Sequence, residues 1–298
     1  MTGNKIEEND TQVESAGHTP TIFAEPILHI KDFPITNSLL TSWLALFVIL
    51  GISLAVRLKM KKIPGKIQHI FEILIEGALS LCDQVTNNRK LTNKIFPIVF
   101  TLFVFILINN WVGILPFVGS IGMNVIEEGH EVFVPFFRGG TADVNMTLAL
   151  SLMIVIGSNV FGMIAVGVWK TFNKYVNISL LGSIFTKVRK DPSILIVAPI
   201  TFFVGILELI GEVAKVASLS FRLFGNIFAG EVLLASMAAI FAFILPGPFL
   251  FLEVFIGLIQ VLIFSLLATV YFKIAAEDHE EHKEEHKNTD SNKELAHV

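Results

Sequence analysis

Arg222 stands in the run 218–231, SLSFRLFGNIFAGE, within the apolar final third of a 298-residue chain. A guanidinium stays charged at any physiological pH, and placing one at a bilayer centre costs about 2.5–3.5 kcal/mol by insertion scales and about 10–17 in simulations. Its chemistry would be electrostatic: a fixed cation that attracts an acid brought against it and favours loss of that acid's proton. Glu231 lies nine residues further on, about 180° around a helix and roughly 13 Å along it, so the two form no intrahelical pair. Glu253 and Gln260 are seven residues apart on a later apolar run and share one helical face. A protonatable carboxyl facing a water-filled cavity is the ordinary reason for a glutamate inside a membrane. Two such carboxyls brought together out of water cannot cheaply stay ionised together, which is what a proton relay needs.

The surroundings of Arg222 narrow its use. At about 100° per residue, Gly211, Lys215, Ser218, Gly225, Asn226, Ala229 and Ser236 project within about 60° of it, with Leu219 and Leu233 as apolar exceptions. Leu, Ile, Phe and Val occupy the other sides. Small residues let another helix approach closely, and Ser and Asn supply hydrogen bonds there. A face of this kind with a full charge along its centre is built to meet a partner bearing the counter-charge.

Composition explains which elements hold these groups. Hydrophobic residues make up 53% of the chain and charged ones 16%, with 27 Phe and a mean hydropathy of +0.69; a soluble domain carries nearer 25% charge. The net charge of −4 reflects acidity concentrated in the two polar ends. The expected fold is an all-α polytopic membrane protein with a polar external arm at 1–35, a membrane domain at 36–276 and a disordered cytoplasmic tail at 277–298. Within the membrane domain, spans are expected at about 39–56, 95–118 and 144–169, then a long tilted one at 194–245 and a last one at 249–274. The segment at about 63–85, opened by Pro64 and Gly65 and interrupted by Glu72, Glu76 and Asp83, reads as an amphipathic interfacial helix. No proline falls between Pro199 and Pro246, and one helix of that length would be about 70 Å against a hydrocarbon core of about 30 Å. It must break, tilt strongly, or begin inside the cytoplasmic interface.

Basic residues set the orientation. Arg57, Lys59, Lys61, Lys62 and Lys66, then Arg89, Lys90 and Lys94, and later Lys170, Lys174, Lys187, Arg189 and Lys190 fall on alternate loops, while the loop between spans two and three offers only Arg138. The positive-inside rule therefore places the N-terminus outside and the C-terminus in the cytoplasm. That external loop holds Glu127, Glu128, His130 and Glu131, read as solvated, and the tail's His279, His282 and His286 are read the same way. The single cysteine, Cys82, excludes an internal disulfide and a cysteine-based metal cluster. No metal or cofactor is expected. The chain has no GxxxxGK[ST] for nucleotide chemistry, no HExxH within its spans for an intramembrane metalloenzyme, and no inverted repeat of the kind secondary transporters carry.

The run 218–231 closely resembles the signature of subunit a of F-type ATP synthases, the stator of the membrane motor. The likeness extends over nearly the whole chain after about residue 25: Ile63-Pro-Gly-Lys66, Asn110 ahead of Leu115-Pro116, Thr141-Ala-Asp-Val-Asn-Met-Thr147, and Gln260 with Tyr271. The resemblance implies that Arg222 is the essential arginine that faces the ring of c subunits and separates two aqueous half-channels. It implies that Glu231 and Asn226 lie on the proton path and that Gln260 lies close to the arginine. Glu208, Lys215 and Ser218 would belong toward the cytoplasmic half-channel, and Asn110, Asp143 and Asn145 toward the outer one. Glu253 occupies a place where some members carry histidine.

The resemblance further implies a chain without covalent catalysis of its own, working in proton transport and ATP synthesis with a c-ring, a peripheral b stalk and the remaining synthase subunits. Its setting would be a bacterial plasma membrane. The implied pairings, Arg222 with Gln260 and Glu231 with Glu253, centre the last hairpin near Phe241, whereas the turn signal Pro246-Gly247-Pro248 is centred on Gly247.

Overall fold

The structure is a computed structural model that describes residues 21–31, 33–61, 65–115, 118–119, 121–127, 130–167, 194–241, 244 and 246–295. Among the described residues there are six α-helices: α1 (Asn37–Lys59), α2 (Lys66–Thr86), α3 (Arg89–Ile114), α4 (Val144–Val166), α5 (Ile194–Ile240) and α6 (Pro246–Leu295). Five of them, all but α2, are long and apolar enough to cross a membrane. The fold is that of an all-α polytopic membrane protein.

Capping residues account for several of those ends. Thr36 Oγ1 accepts from the Leu39 N–H at the start of α1, whose last turn holds Arg57 and Lys59 beside the exposed carbonyls. Asn87, in the left-handed region at φ 52°, closes α2. Asn88 Oδ1 then accepts from the N–H groups of Lys90 and Leu91 and opens α3, ahead of the apolar run itself. Arg89 forms an ion pair with Asp83 across this corner. Pro97 sits inside α3, and Thr101 Oγ1 bonds its carbonyl at 2.6 Å.

The core lies where α3, α4, α5 and α6 meet. Ile95, Val99, Leu102 and Ile106 follow a three-and-four spacing on α3 and pack with Leu150 and Ile154 of α4, Leu219 and Leu223 of α5, and Val261, Phe264, Ala268 and Phe272 of α6. Phe161 meets Phe272 edge-on with ring centroids 5.7 Å apart. The outer helix α1 lies on α3, while α2 rests on α3 and α6. On α2, Ile70, Ile73, Leu74 and Ile75 remain exposed. Its Cys82 is buried and bonds Thr269 at 3.7 Å, and burial pushes the thiol pKa up, so the residue packs as an uncharged small side chain.

α5 is continuous over 47 residues, with Pro199 near its start. Of the three options open to it, breaking is excluded within its described length. The apolar part, Phe202–Ile240, is about 58 Å long and fits a bilayer only by strong tilt or by extending past it.

Three parts of the chain differ from expectation. The end of the supposed arm forms an antiparallel ribbon, β1 (Pro26–Ile30) with β2 (Phe33–Thr36), which leads into α1. The loop after α3 forms a second ribbon, β3 (Gly122–Glu127) with β4 (His130–Pro135), paired from Gly122 with Pro135 to Glu127 with His130. Val, Phe and Ile residues in both segments explain the strands. The tail expected to be disordered continues α6 as far as Leu295. Glu and Lys are good helix formers, and Glu280 with Lys283 and Glu284 with Lys287 stand at a supporting i, i+3 spacing. The basic cluster from Lys170 to Lys190, Lys62, Pro64 and the side chains of His130, His279, His282 and His286 lie outside the described residues.

A single 3-10 turn, Gly140–Ala142, ties this frame together by touching α1, α3, α4 and α5. A Cβ at Gly140 would stand 2.5 Å from both Asn109 Oδ1 and Ser42 Oγ. Gly140→Ala is therefore expected to cost about 1–3 kcal/mol, read as a lower temperature for loss of the detergent-solubilised fold. An unshifted melting curve would show that α1 and α3 separate there without penalty.

Candidate functional site

At one end of the bundle, five elements bring polar side chains out of solvent. The first turns of α1 supply Asn37, Ser38, Thr41 and Ser42; the last turns of α3 supply Asn109 and Asn110; the stretch around the 3-10 turn supplies Arg138, Thr141 and Asp143. Ser38 Oγ donates to Asp143 Oδ2 at 3.0 Å, while Asp143 Oδ1 accepts from the Asn145 N–H and caps α4. Ser42 Oγ donates to Asn109 Oδ1 at 3.3 Å. Thr141 Oγ1 donates to Asn110 Oδ1 at 2.5 Å, and Asn110 Nδ2 reaches the Gly257 carbonyl of α6 at 3.4 Å.

Both acids of the last two helices enter the same end. Arg138, whose side chain is 2% exposed, holds Glu231 from the side: Nε lies 3.0 Å from Oε1 and Nη2 lies 2.9 Å from Oε2. Glu253 is 7% exposed, and its Oε2 is a buried oxygen without a hydrogen-bond partner. Its carboxyl packs so closely on Gly230 that a Cβ there would collide with it.

About three-fifths of the way along α5 the character changes. Arg222 is exposed; its described bond is from Nη2 to Ser218 Oγ at 3.4 Å, and it has no ion pair among the described residues. Ser218, Asn226, Ala229 and Ser236 share its exposed side. Leu219, at the edge of the projected sector, turns into the core instead. Asn226 Nδ2 donates to Gln260 Oε1 at 2.6 Å, which joins α5 to α6 one turn beyond the arginine. On the far side of α5, Ser220 and Thr147 bond at 3.1 Å.

The Asn226 to Gln260 bond and the packing of Glu253 on Gly230 set α5 against α6. With α5 ending at Ile240 and α6 starting at Pro246, the reversal is centred between the two positions that the sequence offered. Pro246-Gly247-Pro248 opens the helix instead of forming the turn, because proline fits the first helical turn, where its missing N–H is no loss.

A second polar group occupies α5 on the other side of Arg222. Glu212 accepts from Asn159 Nδ2 of α4 at 3.1 Å and from Lys215 Nζ at 2.7 Å. Lys215 also lies 5.5 Å from the centre of the Tyr271 ring. Glu208 is half-buried one turn earlier. Along the helix, Glu212 is about 15 Å from Arg222 on one side and Glu231 about 13.5 Å on the other.

The structure thus brings Glu231, Glu253, Asn110 and Asp143 to one cluster, Lys215 to the other, and Asn226, Gln260 and Ser218 to the level of Arg222. Asn145 is exposed and joins through its backbone alone. Sequence reading missed Arg138, Glu212 and Asn159. A signal existed for Glu212, three residues before Lys215 on a helix. Arg138 sits in a loop without periodicity and offered none.

The family model described as ATP synthase A chain matches residues 39–273. The chain belongs to this family. Among its relatives, ATP synthase subunit a of Mycobacterium ulcerans (strain Agy99) is 31% identical over 254 residues, covering 83% of this chain and 89% of the relative. ATP synthase subunit a of Trichlorobacter lovleyi is 27% identical over 252 residues, covering 85% and 92%. Membership in the ATP synthase A chain family makes the chain a multi-pass membrane component of an ATP synthase, concerned with ATP synthesis and proton transport. The family match includes Arg138, Glu212, Arg222, Glu231 and Glu253 and most of the length of the five long apolar helices.

Proposed function

We propose that this chain is the proton-translocating stator subunit, and that its two polar clusters are the inner ends of aqueous half-channels serving a rotating c-ring. One observation carries the reading. Arg222 stands exposed on a strip of small and polar residues, without an anion among the described residues, almost midway between the two clusters.

Charge then accounts for the cycle. A ring carboxylate about 4 Å from Arg222 gains about 4 kcal/mol at an effective dielectric near 20, which favours its ionised form and releases its proton into one half-channel. The carboxylate cannot cheaply enter lipid while charged, so it must take a proton from the other half-channel before rotating away. Each proton crossing contributes about 2.3 kcal/mol per 100 mV to torque. The fixed guanidinium also repels protons that would pass straight between the clusters. No bond is made or broken by this chain apart from those to protons, so covalent chemistry belongs to other subunits.

On this reading the Glu231 end is the outer half-channel and the Glu212 end the cytoplasmic one, with the N-terminus outside and the C-terminus in the cytoplasm of a bacterium. The basic residues Arg57, Lys59 and Lys61 after α1, with Arg89 and Lys90 at the start of α3, support that orientation. A b-type peripheral stalk would hold the chain against rotation. Purification of the tagged chain in mild detergent tests the proposal directly: a ring of small carboxylate-bearing subunits should accompany it. If the chain emerges without a ring and transports an anion by itself, it is a self-contained transporter.

A further inference from the structure

We infer that Arg138 divides the work between the two glutamates of the outer cluster: it engages Glu231 in a two-pronged ion pair and leaves Glu253 as the carboxyl that takes up and passes on the proton. The inference rests on the proposed stator reading and assigns roles within the outer half-channel.

Arg138 is fully committed. A guanidinium has five N–H donors. Nε and Nη2 bind Glu231, Nη2 also reaches the Thr21 carbonyl at 2.6 Å, and Nη1 reaches Thr21 Oγ1 at 3.2 Å and the Phe23 carbonyl at 3.3 Å. Its own backbone N–H is bound by Thr41 Oγ1 at 3.1 Å. The fork grips one carboxylate and two backbone carbonyls in a buried place, so no donor remains for a second acid. A carboxylate held by a side-on guanidinium must break two charge-assisted bonds to accept a proton. That is a poor carrier.

Glu253 has the opposite surroundings. It is as buried as a core residue, its Oε2 is unpartnered, and Gly230 fits against its carboxyl without a side chain between them. No described donor reaches Oε2, so taking up a proton there breaks no bond. Charged groups on the elements closing this end are Glu231 on α5, Arg138 beside the 3-10 turn, Asp143 at the start of α4 and Glu25 before β1; α1 and α3 contribute only neutral side chains there, Asn37, Ser38, Thr41, Asn109 and Asn110. Of these acids, Glu231 is neutralised by Arg138 and Asp143 is bonded at both oxygens, while Glu25, whose Oε2 is likewise buried without a described partner, lies before β1 and on neither of the last two helices. The step balances simply: ionised Glu253 takes a proton from water at the outer end, becomes neutral, and returns to the anion when that proton passes to the ring carboxylate. Arg138 is a positioning residue, touching neither proton nor ring.

The test uses the assembled complex in vesicles, with passive proton flux followed across pH and complex integrity checked for each variant. Glu231→Gln should strand the buried guanidinium and slow flux about tenfold or more. Adding Arg138→Gln should then raise the flux of that variant at least about threefold, since the unpaired charge is gone and the carrier remains. Arg138→Gln alone should move the pH profile upward by leaving two anions side by side, and Arg138→Lys, which keeps the charge, should move it less. A double variant no faster than Glu231→Gln, or equal displacement by Gln and Lys, overturns the inference. Arg222→Ala separates the two levels: if it still pumps, the stator reading itself has failed, whereas lost pumping without rescue in the double variant refutes only the role of Arg138.

Discussion

Arg222→Ala is expected to reduce ATP-driven proton pumping by the reconstituted complex to the background of protein-free vesicles while the complex still assembles. The two halves of this result have separate causes. Arg222 is exposed, and its described bond is a long one to Ser218 on its own helix, so its loss removes little packing and should change stability by about 0.5 kcal/mol or less. Its contribution to the proposed reaction is much larger. An attraction of about 4 kcal/mol on the ring carboxylate corresponds to about a thousandfold in the equilibrium between ionised and protonated forms. Without it a ring carboxyl can pass the stator still holding its proton, and rotation is uncoupled from transfer. Vesicle acidification followed with a pH-sensitive dye, beside recovery of the ring with the tagged chain, measures both halves. Retained pumping in an assembled complex would refute the mechanism.

Glu253→Gln should slow passive proton flux through the membrane sector about a hundredfold, the usual contribution of one well-placed proton-transfer group. Glutamine keeps the volume of glutamate, which matters because the side chain lies against Gly230, where even a Cβ would collide. It also brings an N–H₂ group to a place where an oxygen has no donor, so packing is conserved while the titrating proton is lost. Flux measured after removal of the soluble sector isolates this step from ATP chemistry. If the rate and its pH profile match those of the unaltered chain, Glu253 is a packing residue and the outer path runs through other groups. The comparison with Glu231→Gln is informative because the acids differ in partners: one is gripped by a guanidinium and the other is left bare.

The helices were legible because their causes are local. Apolar runs of sufficient length, the capping side chains of Thr36 and Asp143, and the spacing of Ile95, Val99, Leu102 and Ile106 are all written in neighbouring residues. The separation of Arg222 from Glu231 was legible for the same reason: both lie on one continuous helix, and its pitch decides that they point apart. The ends were less so, since Asn88 starts α3 by bonding backbone groups that an apolar pattern does not register.

Sequence by itself therefore determined the class of protein, the membrane helices, and an arginine whose counter-charge is absent from its own face. Tertiary structure decided which charges meet. Arg138 and Glu231 are 93 residues apart in the chain yet form a buried ion pair, and Asn226 meets Gln260 across a reversal that turn residues alone misplaced. Helical periodicity constrains only residues within a few turns of each other, whereas the meeting of a loop arginine with a helix glutamate depends on how α1, α4 and α5 close around the 3-10 turn. The division between a paired and an unpaired carboxyl exists only in that packing.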